Sequence, residues 1–459
     1  VLEAGASFTF GTTHYRIVDG PIEAAFVGYR GLLRARGHGF PADYNPPVNW
    51  NELYDVGWHH SDPQALAAHY TRDALMAEAA KARACGCELL YLDPGWEVAE
   101  GATLWDEKRL GTAASLVARL RDDYGLQLGF RSILRCYRDH WERRGWVRHE
   151  TGTAGPVTQN RLTFWELCLC DPEIWQRKCD RIADIARQGA RFLMIDEMDW
   201  RGPCTDPGHG HAVPTTASDH ARAVYALCRE LKRRCPGLTV ECHDPVWPWH
   251  TCVYVPTYFQ QGFGAQGAYD ENWGFEYMWS CLNDLKSGRA LALYYYNLAC
   301  DIPLYLHITM AADNDNCLFF WWAASTVRHL GIGGKYGSDS VFHKNDAAYD
   351  PERRFAAYRE SLALYRRLKP FFVRGVFHGL DEHMHLHTLP GCAGGVLLLF
   401  NVGDGERTLE ARIDAAILRM DDGDTRVAGA EARMTGGVLC VRKTVPAMSA
   451  AVIRIGDAV

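Results

Sequence analysis

From about Pro47 to Lys335 the chain alternates short apolar runs with longer amphipathic stretches. The runs PVNW (47–50), ELLYLD (88–93), LQLGF (126–130), RFLMID (191–196), LTVEC (238–242), a segment near Val253 to Phe259, PLYLHIT (303–309) and HLGIG (329–333) read as buried strands. Between them, PQALAAHYTRDALMAEAAKARAC, AASLVARLRDDY, PEIWQRKCDRIADIARQ and SDHARAVYALCRELKRRC repeat apolar residues at every third or fourth position. Ser, Asp or Pro stands at their starts, as at helix N-termini. Eight strands alternating with helices predict an α/β fold, a (β/α)8 TIM barrel. A doubly wound sheet is the rival, but the glycine-rich GxGxxG turn of its nucleotide-binding form is absent.

After the helix-like PERRFAAYRESLALYRRLKPFF the pattern changes. GGVLLLFNV, TLEARI, GGVLCVRKTV and AAVIRI are short, β-rich and separated by Gly/Asp turns, predicting a C-terminal antiparallel β-sandwich. All 15 tryptophans fall between Trp50 and Trp322, which marks the same division. The expected organisation is a leader over 1–44, a barrel over 45–345, a linking helix over 346–375 and the sandwich over 376–459.

Composition excludes some functions. The 49 basic and 56 acidic residues give a net charge of −7 without long runs, so the basic surface needed for nucleic acid or anionic membranes is not expected. No stretch approaches the length of a transmembrane span. The 16 cysteines occur singly or as CxC, without the paired CxxC of a zinc ribbon, and most are expected to be reduced and buried. That usage points weakly to the cytoplasm. The oligomeric state is left open, a homo-oligomer included.

The candidate chemistry starts at RFLMIDEMDW (191–200), where an apolar run ends abruptly in Asp196, Glu197 and Asp199. Carboxylates this close repel one another and cost free energy if desolvated. In a barrel, however, active groups sit at the C-terminal ends of strands. Asp93, Asp196 and Glu241 each end a predicted strand, which would bring them to one mouth. Trp50, Trp96, Trp165, Trp200, Trp247 and Trp273 lie near such ends and could serve as flat apolar floors for sugar rings.

Between about 45 and 340 the chain resembles glycoside hydrolase family 36, the α-galactosidases, within the wider clan of retaining α-glycosidases. The family's first-strand NxWE is similar to Asn49-Trp50-Asn51-Glu52, and its LDDGW to Leu92-Asp93-Pro94-Gly95-Trp96. A family stretch "HPDWV…GRNQLVLDLTNPEV" looks like RDHWERRGWVRHE…TQNRLTFWELCLCDPEI. The nucleophile strand KWDMN falls on Met194-Ile195-Asp196-Glu197-Met198. The ESC motif falls on Glu241-Cys242-His243, and the acid/base motif SDNTD on Tyr269-Asp270-Glu271-Asn272-Trp273. The resemblance implies a double displacement with Asp196 as nucleophile and Asp270 or Glu271 as acid/base, and no cofactor or metal. The expected substrate-binding residues are Trp50, Asp93, Trp96, Arg131, Arg161, Trp165, Asp199, Glu241, Cys242 and Trp273, the ligand an oligosaccharide or glycoside. The chain departs from the family at Met194, Met198, Pro94 and Asp244-Pro245, positions that contact sugar hydroxyls there. The leader resembles the end of the family's N-terminal β-domain and the helix after it, which favours a piece of a longer protein.

Two other readings compete. The clusters DPGHGH (Asp206, His209, His211), ECHDP and HMHLH (His383, His385, His387) suggest a metal-dependent hydrolase, against the plainer reading of surface or loop histidines. A non-hydrolytic carbohydrate-binding barrel is the other.

Overall fold

A computed structural model describes residues 3–20, 22–36, 44–136, 157–159, 162–196, 202–243, 257–258, 285–286, 288, 305–337, 349–421 and 423–459. Eight parallel strands form its centre: β1 Asn49–Asn51, β2 Leu89–Leu92, β3 Gln127–Ile133, β4 Phe192–Asp196, β5 Thr239–His243, β6 Thr257–Tyr258, β7 Tyr305–Thr309 and β8 His329–Gly333. Each coincides with one of the eight apolar runs. The ladder runs β7–β8–β1–β2–β3–β4–β5–β6, so strands pair in chain order and β8 returns to β1. β6 and β7, the two ends of that order, lie side by side and complete the ring.

Successive strand residues point to opposite faces, and here the two faces have different contents. Trp50, Leu90, Leu92, Leu128, Phe130, Leu193, Ile195, Val240, Cys242, Leu330 and Ile332 face outward into one large core shared with the helices. Leu89, Tyr91, Phe192 and Met194 form a separate cluster inside the ring. Gly129 keeps that interior from overfilling: a Cβ there would come within 2.8 Å of Leu89 and 2.9 Å of Phe192. By the same alternation Asn51, Asp93, Arg131, Asp196 and Glu241 point inward.

Helices α1 Ile22–Ala35, α2 Pro63–His69, α3 Arg72–Cys85, α4 Ala113–Arg119, α5 Pro172–Arg187, α6 Ala217–Arg234, α7 Leu318–Thr326 and α8 Pro351–Val373 account for most of the helical residues. The stretch read as one helix over 63–85 is two. Thr71 is extended and accepts the Ala74 N–H as a new N-cap. Tyr70, at the break, is buried with its hydroxyl on Glu52. A second departure follows β3, where Arg135–Cys136, Leu162–Glu166 and Val157–Gln159 build a small antiparallel sheet.

The C-terminal part is a sandwich. Strands β9 Val376–Asp381, β10 Met384–Thr388, β11 Gly394–Asn401, β13 Val427–Ala428 and β16 Ser449–Gly456 make one sheet, and β12 Arg407–Asp414, β14 Glu431–Thr435 and β15 Val438–Val445 the other. Leu397, Leu399, Ile453 and Ile455 from the first pack against Leu409, Ile413, Leu439 and Val441 from the second. The sandwich is bonded to the barrel. Asn314 donates to the Met448 carbonyl at 2.7 Å, and the Ser325 hydroxyl lies 2.8 and 2.9 Å from His385 and His387. These two histidines are buried on β10, so the plainer reading of surface or loop histidines does not hold for them. Burial holds both imidazoles below their usual range, so they are neutral packing groups. Among the described residues no helix is long and apolar enough to cross a membrane.

Candidate active site

The C-terminal mouth of the barrel is organised by one arginine. Arg131, on β3 between β2 and β4, sends Nε to Asp196 at 2.5 Å and to Asp93 at 3.6 Å, and Nη1 to Glu100. Register explains the convergence: Arg131 pairs with Met194, so Asp196 stands two positions further along, on the same inward face. Asp93 follows the end of β2 and is held by Asn51, whose amide donates at 2.7 Å. The Asp93 N–H donates in turn to Glu52, at 2.9 and 3.1 Å to its two oxygens.

The backbone there is fixed from outside the ring. Trp96 is fully buried, donates Nε1 to the Arg131 carbonyl at 3.0 Å and packs edge-on against Phe130. Gly95 lets the chain pass over Tyr70: its φ is +131°, and a Cβ would lie 2.5 Å from the Tyr70 ring. Glu97 closes the following loop by accepting the Gly101 N–H at 2.9 Å and that of Thr103.

One guanidinium among Asp93, Glu100 and Asp196, with Glu52 behind, leaves an excess of carboxylates in a desolvated space. Burial accordingly pushes Asp93 up to about 7, the charges of Asp196 and Glu100 adding to the rise while Arg131 and Asn51 oppose it. Glu52 is driven well above the carboxylate range by burial and by Asp93. Asp196 is the most open of the group, its side chain 15% exposed against 9% for Asp93 and 8% for Arg131. An inward carboxylate at the rim, with hydrogen-bonding groups beneath it, can meet an electrophilic carbon while its neighbours bind hydroxyls.

The raised Asp93 pKa has a measurable sign. Between the unfolded value near pH 4 and the folded value near 7, the folded chain holds a proton that the unfolded chain does not, so stability falls as pH rises through that window. Asp93→Asn removes this slope. Its stability relative to wild type in urea melts should improve by about 1–3 kcal/mol between pH 5 and pH 8. Parallel pH profiles for the two proteins would show that Asp93 titrates normally.

The other expected residues divide. Asp93, Arg131 and Asp196 come together. Trp50, Trp96 and Cys242 do not join them in one cavity, because all three are buried in the outer core. Trp50 donates Nε1 to Glu78 on α3 at 2.8 Å, and the Cys242 sulfur lies 3.2 Å from that of Cys228 on α6. Glu241 faces inward but a layer deeper, opposite Met194, and bonds His329, the first residue of β8. The other His329 nitrogen lies 2.8 Å from the carbonyl of Pro47, ahead of β1, so this pair serves the closed, N-terminal side of the ring. Trp165 packs against Cys136, Leu167 and Ile174 outside the cluster. Arg161, Asp199, Asp270, Glu271 and Trp273, with Trp200 and Trp247, lie outside the described residues. Asn51, Glu52 and Glu100 were missed; the signal for Asn51 was its place one after the outward Trp50, at the end of a strand.

No family model matches the sequence, and no curated protein matches it. Solved structures do. A variant of the family 36 α-galactosidase AgaA from Geobacillus stearothermophilus, in complex with 1-deoxygalactonojirimycin, superposes with a TM-score of 0.61 at 14% identity, over 94% of this chain and 59% of that one. The Lactobacillus brevis α-galactosidase gives 0.61 at 11% identity, over 95% and 58%. The α-amylase of Geobacillus thermoleovorans, complexed with acarbose, gives 0.58 at 9% identity, over 90% and 99%. This chain therefore spans about three fifths of the length of the α-galactosidases it matches and nearly all of the amylase. At these identities the likeness is one of architecture: the chain shares with these proteins a TIM barrel followed by a C-terminal β-domain.

Proposed function

We propose that this chain is a retaining α-glycosidase acting on an α-linked oligosaccharide or glycoside. The observation that carries the reading is Asp196: an inward, partly open carboxylate at the C-terminal end of β4, where the family resemblance expects the nucleophile, tied to Arg131. In the first step an Asp196 oxygen attacks the anomeric carbon and forms an ester as the glycosidic C–O bond breaks. Asp270 or Glu271 gives its proton to the departing oxygen. In the second step that carboxylate takes a proton from water, which attacks the anomeric carbon and releases Asp196. Asn51 and Asp93 bind ring hydroxyls beneath. The substitutions at Met194 and Pro94 remove hydroxyl contacts of the α-galactosidases, so the preferred sugar differs from galactose or is bound differently.

Screening nitrophenyl α- and β-glycosides tests the activity, with ¹H NMR of the first-formed anomer testing retention. Asp270→Asn should slow glycosides with poor leaving groups far more than activated aryl glycosides, which need little protonation. Equal losses on both would move the role to Glu271. One observation favours a binding-only barrel instead: the Asp196 carboxylate already has a cationic partner in Arg131. Saturable sugar binding without turnover of any glycoside would support that second reading.

A further inference from the structure

Beside the barrel mouth, two loops bring together four side chains with metal-ligand chemistry. Cys168 lies between the small antiparallel sheet and α5; Cys204, His209 and His211 lie on the loop between β4 and α6. One donor atom from each falls within 4.8 Å of all the others. The Cys168 sulfur is 3.3 Å from His211 Nε2, and the Cys204 sulfur 3.1 Å from His209 Nδ1. Around a tetrahedral zinc, with bonds of about 2.3 Å to sulfur and 2.0–2.1 Å to nitrogen, a sulfur and a nitrogen stand about 3.6 Å apart. Those two pairs would open by about 0.3–0.5 Å around the ion, and the wider pairs, all within 4.8 Å, would draw in to it.

We propose that Cys168, Cys204, His209 and His211 bind a structural zinc ion. The orientation of both imidazoles supports it. His211 Nδ1 lies 2.9 Å from the Ala212 carbonyl, which places its proton there and turns the Nε2 lone pair to the cluster. His209 Nε2 lies 3.2 Å from an Asp206 carboxylate oxygen, near it but off the line of a hydrogen bond, and Nδ1 faces Cys204. A ligating histidine with its far nitrogen held by a carbonyl or carboxylate is the usual outer-sphere arrangement of zinc sites. Asp206 is itself fixed, capping the short turn Pro207–His209 by accepting the Gly208 N–H at 2.9 Å. Cys204 is pinned by Thr215, exchanging bonds of 2.7 and 3.1 Å with its hydroxyl and N–H.

Charge and burial agree. Two thiolates neutralise one dication, so the complex enters the protein uncharged, and Cys168, Cys204 and His209 are buried. A cavity of about 280 Å³, lined by Cys170, Pro172, His211, Thr215, Asp219 and Arg222 among others, gives an ion a path in. Two sulfurs and two nitrogens favour zinc over magnesium or calcium, and four protein ligands leave no position for substrate. The ion would act as a staple. The segment Gly202–Thr216 holds only a three-residue turn of helix and few large apolar side chains. It descends from the strand that carries Asp196, and the ion would tie it to the neighbouring loop.

The test uses the full chain, free of any affinity tag. Elemental analysis should find about one zinc per chain. Chelator treatment followed by cobalt(II) should give the visible absorption of a tetrahedral thiolate complex and restore a lowered melting temperature. Cys204→Ser and His209→Ala should lose the metal, while Cys392→Ser, altering a free cysteine in the sandwich, should keep it. Should the two variants fail to fold, zinc release from the native chain into a chromophoric chelator gives the stoichiometry without them. A chain that carries no metal and takes up neither zinc nor cobalt overturns the proposal. So does a Cys168–Cys204 disulfide found by mass spectrometry in the freshly purified protein.

Discussion

Asp196→Asn should abolish turnover of every α-glycoside the wild type cleaves, lowering kcat by roughly four to six orders of magnitude, the scale seen when a nucleophile is deleted. The substitution is nearly isosteric and sits at a rim where the side chain is 15% exposed, so the fold should persist. Losing one of three carboxylates around Arg131 also relieves repulsion, and the melting temperature should hold or rise. Azide tests the role directly. In Asp196→Ala a small anion can enter the vacated space and attack the anomeric carbon from the nucleophile's side, producing a glycosyl azide of inverted configuration. Residual activity within tenfold of wild type would remove Asp196 from the chemistry.

Arg131→Met should be the most damaging change near the site that removes no reacting atom. The guanidinium touches Asp93, Glu100 and Asp196, with a side chain only 8% exposed. Taking it away leaves buried carboxylates without their counter-charge, at a cost of about 3–5 kcal/mol in urea melts. The survivors would share protons to reduce the repulsion, so the acidic limb of kcat/KM should move upward by about one pH unit. A merely structural arginine would lower the yield of folded protein and leave that limb in place. Arg131→Lys, retaining charge without the planar fork, should recover stability better than rate. An unmoved pH profile in Arg131→Met would break the link between this residue and the reacting carboxylate.

The ring of strands was legible because a buried strand has to be an apolar run of limited length, and eight such runs recur between helices. The direction of side chains is equally present in the alternation along each strand. Glu241 and Cys242 are adjacent on one strand and cannot enter the same cavity; alternation sends Glu241 to His329 and Cys242 to Cys228. Trp50 sits outside for the same reason, between the inward Asn49 and Asn51. The break at Tyr70 eluded periodicity because apolar spacing continues through it, and only the capping residue Thr71 betrays it. The Cys/His cluster was harder still. Cys168 and His211 are 43 positions apart, on loops whose meeting depends on the whole barrel, and no local pattern encodes that distance. The acid/base assignment rests on Asp270 and Glu271, outside the described residues.

The pairing of β1 with β8 sets a schedule for synthesis. His329 bonds the carbonyl of Pro47 across 282 positions, and Asn49 pairs with Gly331. At about 5–20 residues per second, roughly 15–60 s separate the emergence of these two edges from the ribosome. Throughout that interval the first strand has β2 on one side and nothing on the other, and the pocket that seats Arg131 exists only in part. Such an edge recruits any other unpaired strand nearby. The nascent chain therefore passes that interval as an open, adhesive ribbon, and its yield in a cell depends on how well chaperones shield that ribbon until the ring can shut.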